Sequence, residues 1–270
     1  MAQHGKIAIV TGGGRGLGRA MALGLSRSGL RVAVMAARNR DEIEAVAREA
    51  PPGQIYPVMA DVSRESACAI LIQQVEARLG PVDVLVNNAG RGMRFVSERF
   101  LSEPHPFWKT DPETWRMIIA TNVNGPFFMA RAVTPGMIAR GWGRIINISI
   151  NHETMRRRGF SPYGPSKAAL ESETIIWAQD LAGTGVTVNA LLPGGASRTG
   201  MIPDEVPPEL RKKLISPEIM VVPLLWLVSD AADAVSGQRL DASRWDIKLN
   251  PSEAAAKIGE PALWGAPKIE

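Results

Sequence analysis

The stretch Thr11-Gly12-Gly13-Gly14-Arg15-Gly16-Leu17-Gly18 decides how this chain is read. It follows the apolar run Lys6 to Val10, which reads as a buried strand, and it opens Arg19 to Ser28, whose small residues read as a closely packed helix. A glycine-rich turn between a strand and a helix lets backbone approach a pyrophosphate, and the helix N-terminus adds N–H donors and partial positive charge. In that setting the glycines are expected to bind a dinucleotide and not merely to make a turn.

Outward from this loop, the same alternation continues. Arg31 to Ala36, Ile55 to Met59, Val82 to Val86, Arg144 to Ile148 and Val186 to Leu192 read as strands. Asp41 to Ala50, Glu65 to Leu79, Pro112 to Arg140 and Ala168 to Ala182 read as helices. Such alternation forces right-handed crossovers, so the expected fold class is α/β: a Rossmann-like doubly wound parallel sheet of about seven strands with helices on both faces. A length of 270 residues suits one dinucleotide-binding domain, expected over residues 1–245. Residues 246–270, with Pro251, Pro261 and Pro267, look like an extended C-terminal arm.

Composition narrows the function classes. With 45% hydrophobic and 21% charged residues, the chain can bury a sizeable core and does not belong with disordered proteins. The single cysteine, Cys68, excludes an internal disulfide and reads as a core residue. No stretch approaches the ~20 apolar residues of a membrane span and no targeting segment is seen, so a cytoplasmic protein without membrane partners is expected. The net charge of +4 is spread over scattered arginines without a basic helix, which argues against nucleic acid and fits an anionic cofactor.

Cofactor choice is read at the end of the second strand, where a carboxylate would accept the adenosine ribose hydroxyls of NAD and repel a 2′-phosphate. This chain has Met35-Ala36-Ala37-Arg38-Asn39-Arg40 there, with no acid before Asp41. Arg38 can pair with the phosphate and Arg15 can approach it from the glycine loop, so NADP(H) is expected.

Further motifs follow in order: Asp61-Val62, Asn88-Ala89-Gly90 within Asn87-Asn88-Ala89-Gly90, Asn122-Val123-Asn124-Gly125, Tyr163-Gly164-Pro165-Ser166-Lys167 and Pro193-Gly194. Together with the glycine motif Gly12, Gly14, Arg15, Gly16, Leu17 and Gly18, they make residues 5 to 245 resemble the short-chain dehydrogenases/reductases. That resemblance implies an oxidoreductase moving a hydride between NADP(H) and a carbonyl or alcohol carbon. It implies that Asp61 and Val62 contact adenine, that Asn88, Ala89, Gly90, Pro193 and Gly194 border the cofactor, and that Lys167 holds the nicotinamide ribose. It further implies that Asn122 supports a water-mediated proton path behind the lysine. No metal is implied.

The proton chemistry can be argued from the residues themselves. Tyr163 and Lys167 are four apart, so on a helix they share a face. A phenol is a poor acid–base at neutral pH, but a neighbouring ammonium is expected to lower its pKa and make Tyr163 a workable proton donor to a forming alkoxide.

One family position departs. The family's serine, which hydrogen-bonds the substrate carbonyl, is expected about thirteen residues before the tyrosine, and Ile150 stands there. In Asn147-Ile148-Ser149-Ile150-Asn151-His152 three readings stay open: a shifted strand end brings Ser149 into the role, Asn151 or His152 substitutes, or the donor is missing and turnover is weak. The last would make the chain a cofactor-binding sensor. A reductase of a C=N acceptor, for which the serine matters less, is a further alternative.

The segment from Gly90 to Pro112, with Phe95, Phe100, Phe107, Trp108, Arg91, Arg94 and Arg99, is long enough to shape a substrate pocket. Arg156-Arg157-Arg158 could attract an acidic substrate, though a solvated charge run is the plainer reading. Arg198 to Ser216 resembles the family's variable substrate lid, and the aromatic and aliphatic content of these segments points to a small, largely apolar substrate molecule. The helical regions Pro112 to Arg140 and Ala168 to Ala182 resemble those that pair across two-fold axes in the family, so a homo-oligomer, dimer or tetramer, is expected.

Overall fold

In the computed structural model, which describes residues 5–203 and 208–263, the strands are β1 (Ile7–Thr11), β2 (Arg31–Ala36), β3 (Ile55–Met59), β4 (Val84–Asn87), β5 (Gly143–Ile148), β6 (Val186–Leu192), β7 (Gln238–Asp241) and β8 (Gly259–Pro261). They form one sheet in the order β3-β2-β1-β4-β5-β6-β7-β8, parallel except for β8. The helices are α1 (Gly16–Arg27), α2 (Arg40–Glu49), α3 (Glu65–Leu79), α4 (Pro112–Ile119), α5 (Gly125–Arg140), α6 (His152–Met155), α7 (Tyr163–Asp180), α8 (Pro208–Lys212), α9 (Val221–Leu227) and α10 (Pro251–Ile258).

Side chains alternate across the sheet, so each strand feeds two cores. Ala8 and Val10 pack with Met21 and Leu25 of α1, Ile43 of α2, Leu224 of α9 and Ile258 of α10. Ile7 and Ile9 face Leu71 of α3, Met129 and Val133 of α5 and Leu181 beyond α7. All five residues of β1 are buried, the expected result for a central parallel strand covered on both faces.

Three elements differ from the sequence reading. The long helical region breaks into α4, a π-helical turn over Ala120–Asn124, and α5. Pro126 lacks an N–H for the preceding turn, so the regular ladder cannot run through it. Helix α7 runs ahead of the stretch read from Ala168 and starts at Tyr163, in agreement with Pro165 as a first-turn residue, where a missing N–H costs nothing and the Tyr163–Lys167 pair falls at the helix start. The expected extended arm contains α10 and β8, and β8 pairs with β7 through Leu240 and Gly259. Neither β7 nor β8 carries a sequence signal strong enough to be read alone: Gln238-Arg239-Leu240-Asp241 has a single apolar residue.

Strand order reverses between β1, with β2 beyond it, and β4, opening a crevice at the carboxyl ends of both. That crevice holds the site.

Candidate active site

The loop after β1 and the end of β4 are latched together. Thr11 Oγ1 accepts from Ala89 N at 2.9 Å and from Asn88 N at 3.0 Å, while Asn88 Nδ2 donates to the carbonyls of Thr11 at 2.9 Å and Gly12 at 3.0 Å. A Cβ on Gly18 would lie 2.3 Å from the Gly12 carbonyl oxygen and 2.4 Å from Asn88 Nδ2, so only glycine fits where α1 leaves the loop. Gly12 and Gly16 have φ of +62° and +53°, the left-handed conformation that glycine adopts without strain.

A cavity of about 740 Å³ runs from this loop across the sheet edge. Gly12, Gly14, Arg15, Gly16, Leu17 and Gly18 border one end, with Arg38, Asp61 and Val62 beside them. Asn88, Ala89, Gly90 and Pro193 border its middle, and Tyr163 and Lys167 its other end. Among the expected residues, Gly194 and Asn122 stand behind this lining. Gly194 packs away from it, where an added Cβ would meet Ser243 Oγ at 2.1 Å.

The far end bears on cofactor choice. Arg38 is exposed and, among the described residues, has no carboxylate partner. Arg15 lies 3.7 Å from Glu42 Oε1, and a Cβ on Gly14 would meet Glu42 Cβ at 2.9 Å. The sequence reading missed Glu42, although it stands four residues after Arg38, in the first turn of α2. Its carboxylate offsets Arg15 and leaves Arg38 without a carboxylate neighbour, so that Arg38 could take a 2′-phosphate. A cradle closed to any Cβ at Gly18 and an uncompensated arginine fit NADP(H). Burial raises the Asp61 carboxyl, but hydrogen bonds from Ser63 N and Oγ, with Arg91 and Arg64 nearby, outweigh it and hold the group below its ordinary value.

At the catalytic end, Lys167 is 4% exposed and its Nζ donates to the Ile148 carbonyl at 2.7 Å. Burial pushes the Lys167 ammonium down to about 8, against the opposing pull of Glu171. Burial pushes the Tyr163 phenol up to about 12. This corrects the expectation that the ammonium lowers the phenol: Lys167 is committed to the Ile148 carbonyl, and desolvation of the phenolate dominates. Tyr163 is therefore protonated at neutral pH, the state a proton donor needs.

Asn122 lies in the π-helical turn, 1% exposed. Its Oδ1 accepts from Arg91 N at 2.8 Å, and its Nδ2 donates to the Arg91 carbonyl at 2.9 Å and to Ser166 Oγ at 3.0 Å. It thus ties the Gly90–Arg91 corner to the first turn of α7, which carries both Tyr163 and Lys167.

The strand end is arranged differently from the first open reading. Ser149 borders the cavity, but its Oγ donates to Glu171 Oε1 at 2.6 Å. Glu171 is fully buried, and it also accepts from Arg239 Nε at 3.3 Å and from Leu263 N at 2.9 Å, with His152 Nε2 at 3.5 Å. Ser149 is held on the protein side for that reason. Asn151 caps α6, its Oδ1 accepting from Thr154 N at 2.8 Å, and its Nδ2 donates to the Gly194 carbonyl at 3.3 Å. Sequence reading missed Glu171, yet it lies four residues beyond Lys167 on the same helix face. Arg239 had no such signal, since it belongs to the unread β7.

Of the aromatic segment, Arg91, Arg94, Phe95 and Phe100 border the cavity, and Phe100 meets Phe160 edge-on at 5.7 Å between ring centroids. Phe107 and Trp108 point to solvent, 68% and 72% exposed. Arg157, from the arginine run, borders the cavity and stacks on Phe160 at 5.0 Å. Met201 and Ile202 of the expected lid also border it, while 204–207 lie outside the described residues.

A family model described as short chain dehydrogenase matches residues 6–209. An acetoacetyl-CoA reductase of Rhizobium meliloti is 36% identical over 250 residues, covering 88% of this chain and 97% of the relative. A 3-oxoacyl-[acyl-carrier-protein] reductase of Staphylococcus epidermidis is 31% identical, covering 87% and 96%. Among solved structures, a metagenomic short-chain oxidoreductase in complex with NADP superposes with a TM-score of 0.74 at 29% identity, covering 89% of this chain and 98% of that one. A gluconate 5-dehydrogenase from Beutenbergia cavernae, titled as putative and with bound NADP, gives 0.76 at 30% identity, covering 89% and 96%.

Two outcomes are expected. Arg38→Asp replaces attraction by repulsion and supplies a carboxylate for free ribose hydroxyls, so fluorescence titration should show preference moving toward NADH by at least ~10-fold. Arg15→Ala should shift it less, because Glu42 already offsets Arg15. Because the free enzyme's groups appear in kcat/KM, that parameter for NADPH in the reductive direction should fall as pH rises through about 8, where Lys167 loses its proton. Lys167→Arg, charged throughout, should lack that alkaline limb; an unchanged limb in the variant would assign it to another group.

Proposed function

The chain belongs to the short-chain dehydrogenase/reductase family and is an NADP-dependent oxidoreductase, and from that premise we propose that it reduces the ketone of a small 3-oxoacyl compound to the alcohol. The observation that carries this reading is the single cavity joining Arg38 and the glycine loop to Tyr163 and Lys167. The alcohol–ketone level is favoured by the reductase activities for which the relatives are named, and the acyl portion by the apolar cavity residues Met93, Phe100, Phe160 and Met201.

NADPH, when bound, supplies the hydride. The chain's residues supply the rest. The glycine loop and the α1 N-terminus receive the pyrophosphate, and Arg38 the 2′-phosphate. Tyr163 gives its phenolic proton to the carbonyl oxygen as that oxygen gains charge, and Lys167 leaves the Ile148 carbonyl to hold the ribose and support the phenolate. Asn122 fixes the first turn of α7 and with it the spacing of the pair. Residues 1–245 would act as one catalytic domain, with 246–270 contributing the accessory α10 and β8.

Among the described residues no helix is long and apolar enough to cross a membrane. Ile70 of α3, Phe127 and Ile138 of α5 and Ile176 of α7 are 54%, 44%, 43% and 52% exposed on helices that cover one face of the sheet. This apolar content favours a homo-oligomer built through those helices.

The test is NADPH oxidation over a panel of 3-oxoacyl thioesters, simple ketones and imines. Turnover of the 3-oxoacyl compounds, abolished in Tyr163→Phe with NADPH affinity nearly intact, is expected. Tight cofactor binding without turnover on any substrate would instead identify a sensor, the reading that Ile150 favours. Light scattering at micromolar concentration should give at least a dimer mass, and Ile176→Asp should lower it; a monomeric wild type would count against the interface.

A further inference from the structure

The place of the carbonyl-binding serine is taken by Ile150, which has no side-chain donor, so the cavity wall needs another hydroxyl or amide near Tyr163. Ser149 is committed to the buried Glu171 at 2.6 Å. Arg239 holds the same carboxylate and also donates to the Ile150 carbonyl at 3.0 Å, so the strand end is clamped with the serine on the protein side. Asn151 spends its oxygen on capping α6 and one N–H on the Gly194 carbonyl. Across the cavity, Ser197 Oγ donates to the Gly195 carbonyl at 3.4 Å.

Thr154 is different. It borders the same cavity as Ile150, Tyr163 and Lys167, it is half-buried, and among the described residues its hydroxyl has no hydrogen-bond partner. Its backbone is fixed, because Thr154 N donates to Asn151 Oδ1 at 2.8 Å. The next residue is pressed onto the catalytic helix: a Cβ on Gly164 would lie 2.2 Å from the Met155 carbonyl oxygen. The short helix α6 therefore holds Thr154 on the cavity wall next to Met155, whose carbonyl packs on Gly164, the residue after Tyr163. On the proposed carbonyl reduction, and resting on it, we infer that Thr154 supplies the hydroxyl that hydrogen-bonds the substrate's carbonyl oxygen, in place of the serine lost at Ile150. Thr154 keeps its proton throughout; the transferred proton is that of Tyr163. A hydrogen-bond donor aimed at an oxygen gaining charge is worth ~10²-fold or more in rate.

Thr154→Val keeps the shape and β-branching and removes the donor, whereas Thr154→Ser keeps the donor. With the 3-oxoacyl substrate, Thr154→Val should lose ~10²-fold in kcat at unchanged NADPH affinity, and Thr154→Ser should stay within about fivefold of wild type. Binding of the ketone to NADP⁺-loaded enzyme, where nothing turns over, should weaken about tenfold in the valine variant only. Asn151→Ser, which keeps a helix-capping oxygen and removes the amide, should lose less than Thr154→Val in both measurements. A valine variant with wild-type kcat and ketone affinity, or a larger loss in Asn151→Ser, overturns the assignment to Thr154 alone. A wild type that binds NADPH but neither binds nor reduces any carbonyl compound overturns the proposed function and this role with it.

Discussion

A fully buried carboxylate has to be paired, and at Glu171 that requirement arranges the catalytic end of the molecule. Its two oxygens gather Ser149 from the end of β5, Arg239 from β7 and the backbone N–H of Leu263 beyond β8. Three segments distant in sequence are thereby fixed against α7 one turn beyond Lys167. The C-terminal extension is drawn into the site's foundation by the same bond, and Arg239 passes the constraint on to the Ile150 carbonyl. Removing one partner would leave a charge buried without compensation, which is why such a cluster holds its geometry even though it adds little net stability.

The crevice on the cofactor side depends on a different economy. Its contacts are mostly backbone, because a dinucleotide's phosphates need N–H groups at close range and side chains would block the approach. Thr11 and Asn88 satisfy the backbone groups exposed where β1 and β4 splay apart, leaving the loop's remaining donors to face the cavity. Deeper in the sheet, Asn87 donates to Asn147 at 2.9 Å and Asn147 to Thr174 of α7 at 2.9 Å, a buried polar chain joining β4, β5 and the catalytic helix. Both ends of the site are thus referenced to the same strands.

Between them, Tyr163 and Lys167 sit in an environment that disfavours charge on both. The phenol is pushed up and the ammonium down, and the ammonium rests on a backbone carbonyl. Lys167 would hold the ribose hydroxyls of a bound cofactor, whose phosphates would favour the charged ammonium.

The sequence by itself determined the alternation of strands and helices, the glycine loop, the tyrosine–lysine pair and the arginine without a neighbouring acid at the end of β2. Each rests on local rules: a period of 2 or 3.6, a left-handed glycine, four-residue spacing on a helix, a charge at a strand end. It also located the missing serine, since counting back from Tyr163 to Ile150 needs no structure. What replaced the serine's surroundings was decided by tertiary structure alone. Ser149 points to Glu171, where Arg239 arrives from β7 and Leu263 from just beyond β8, strands whose sequences carry almost no signal of their own. Glu42 meets Arg15, Asn122 holds Arg91, and α6 presses Met155 onto Gly164, contacts that local sequence patterns do not specify either. Except for Met155 and Gly164, these contacts join residues well separated in the chain, and whether a buried charge finds its partner is settled only when all the strands are in register.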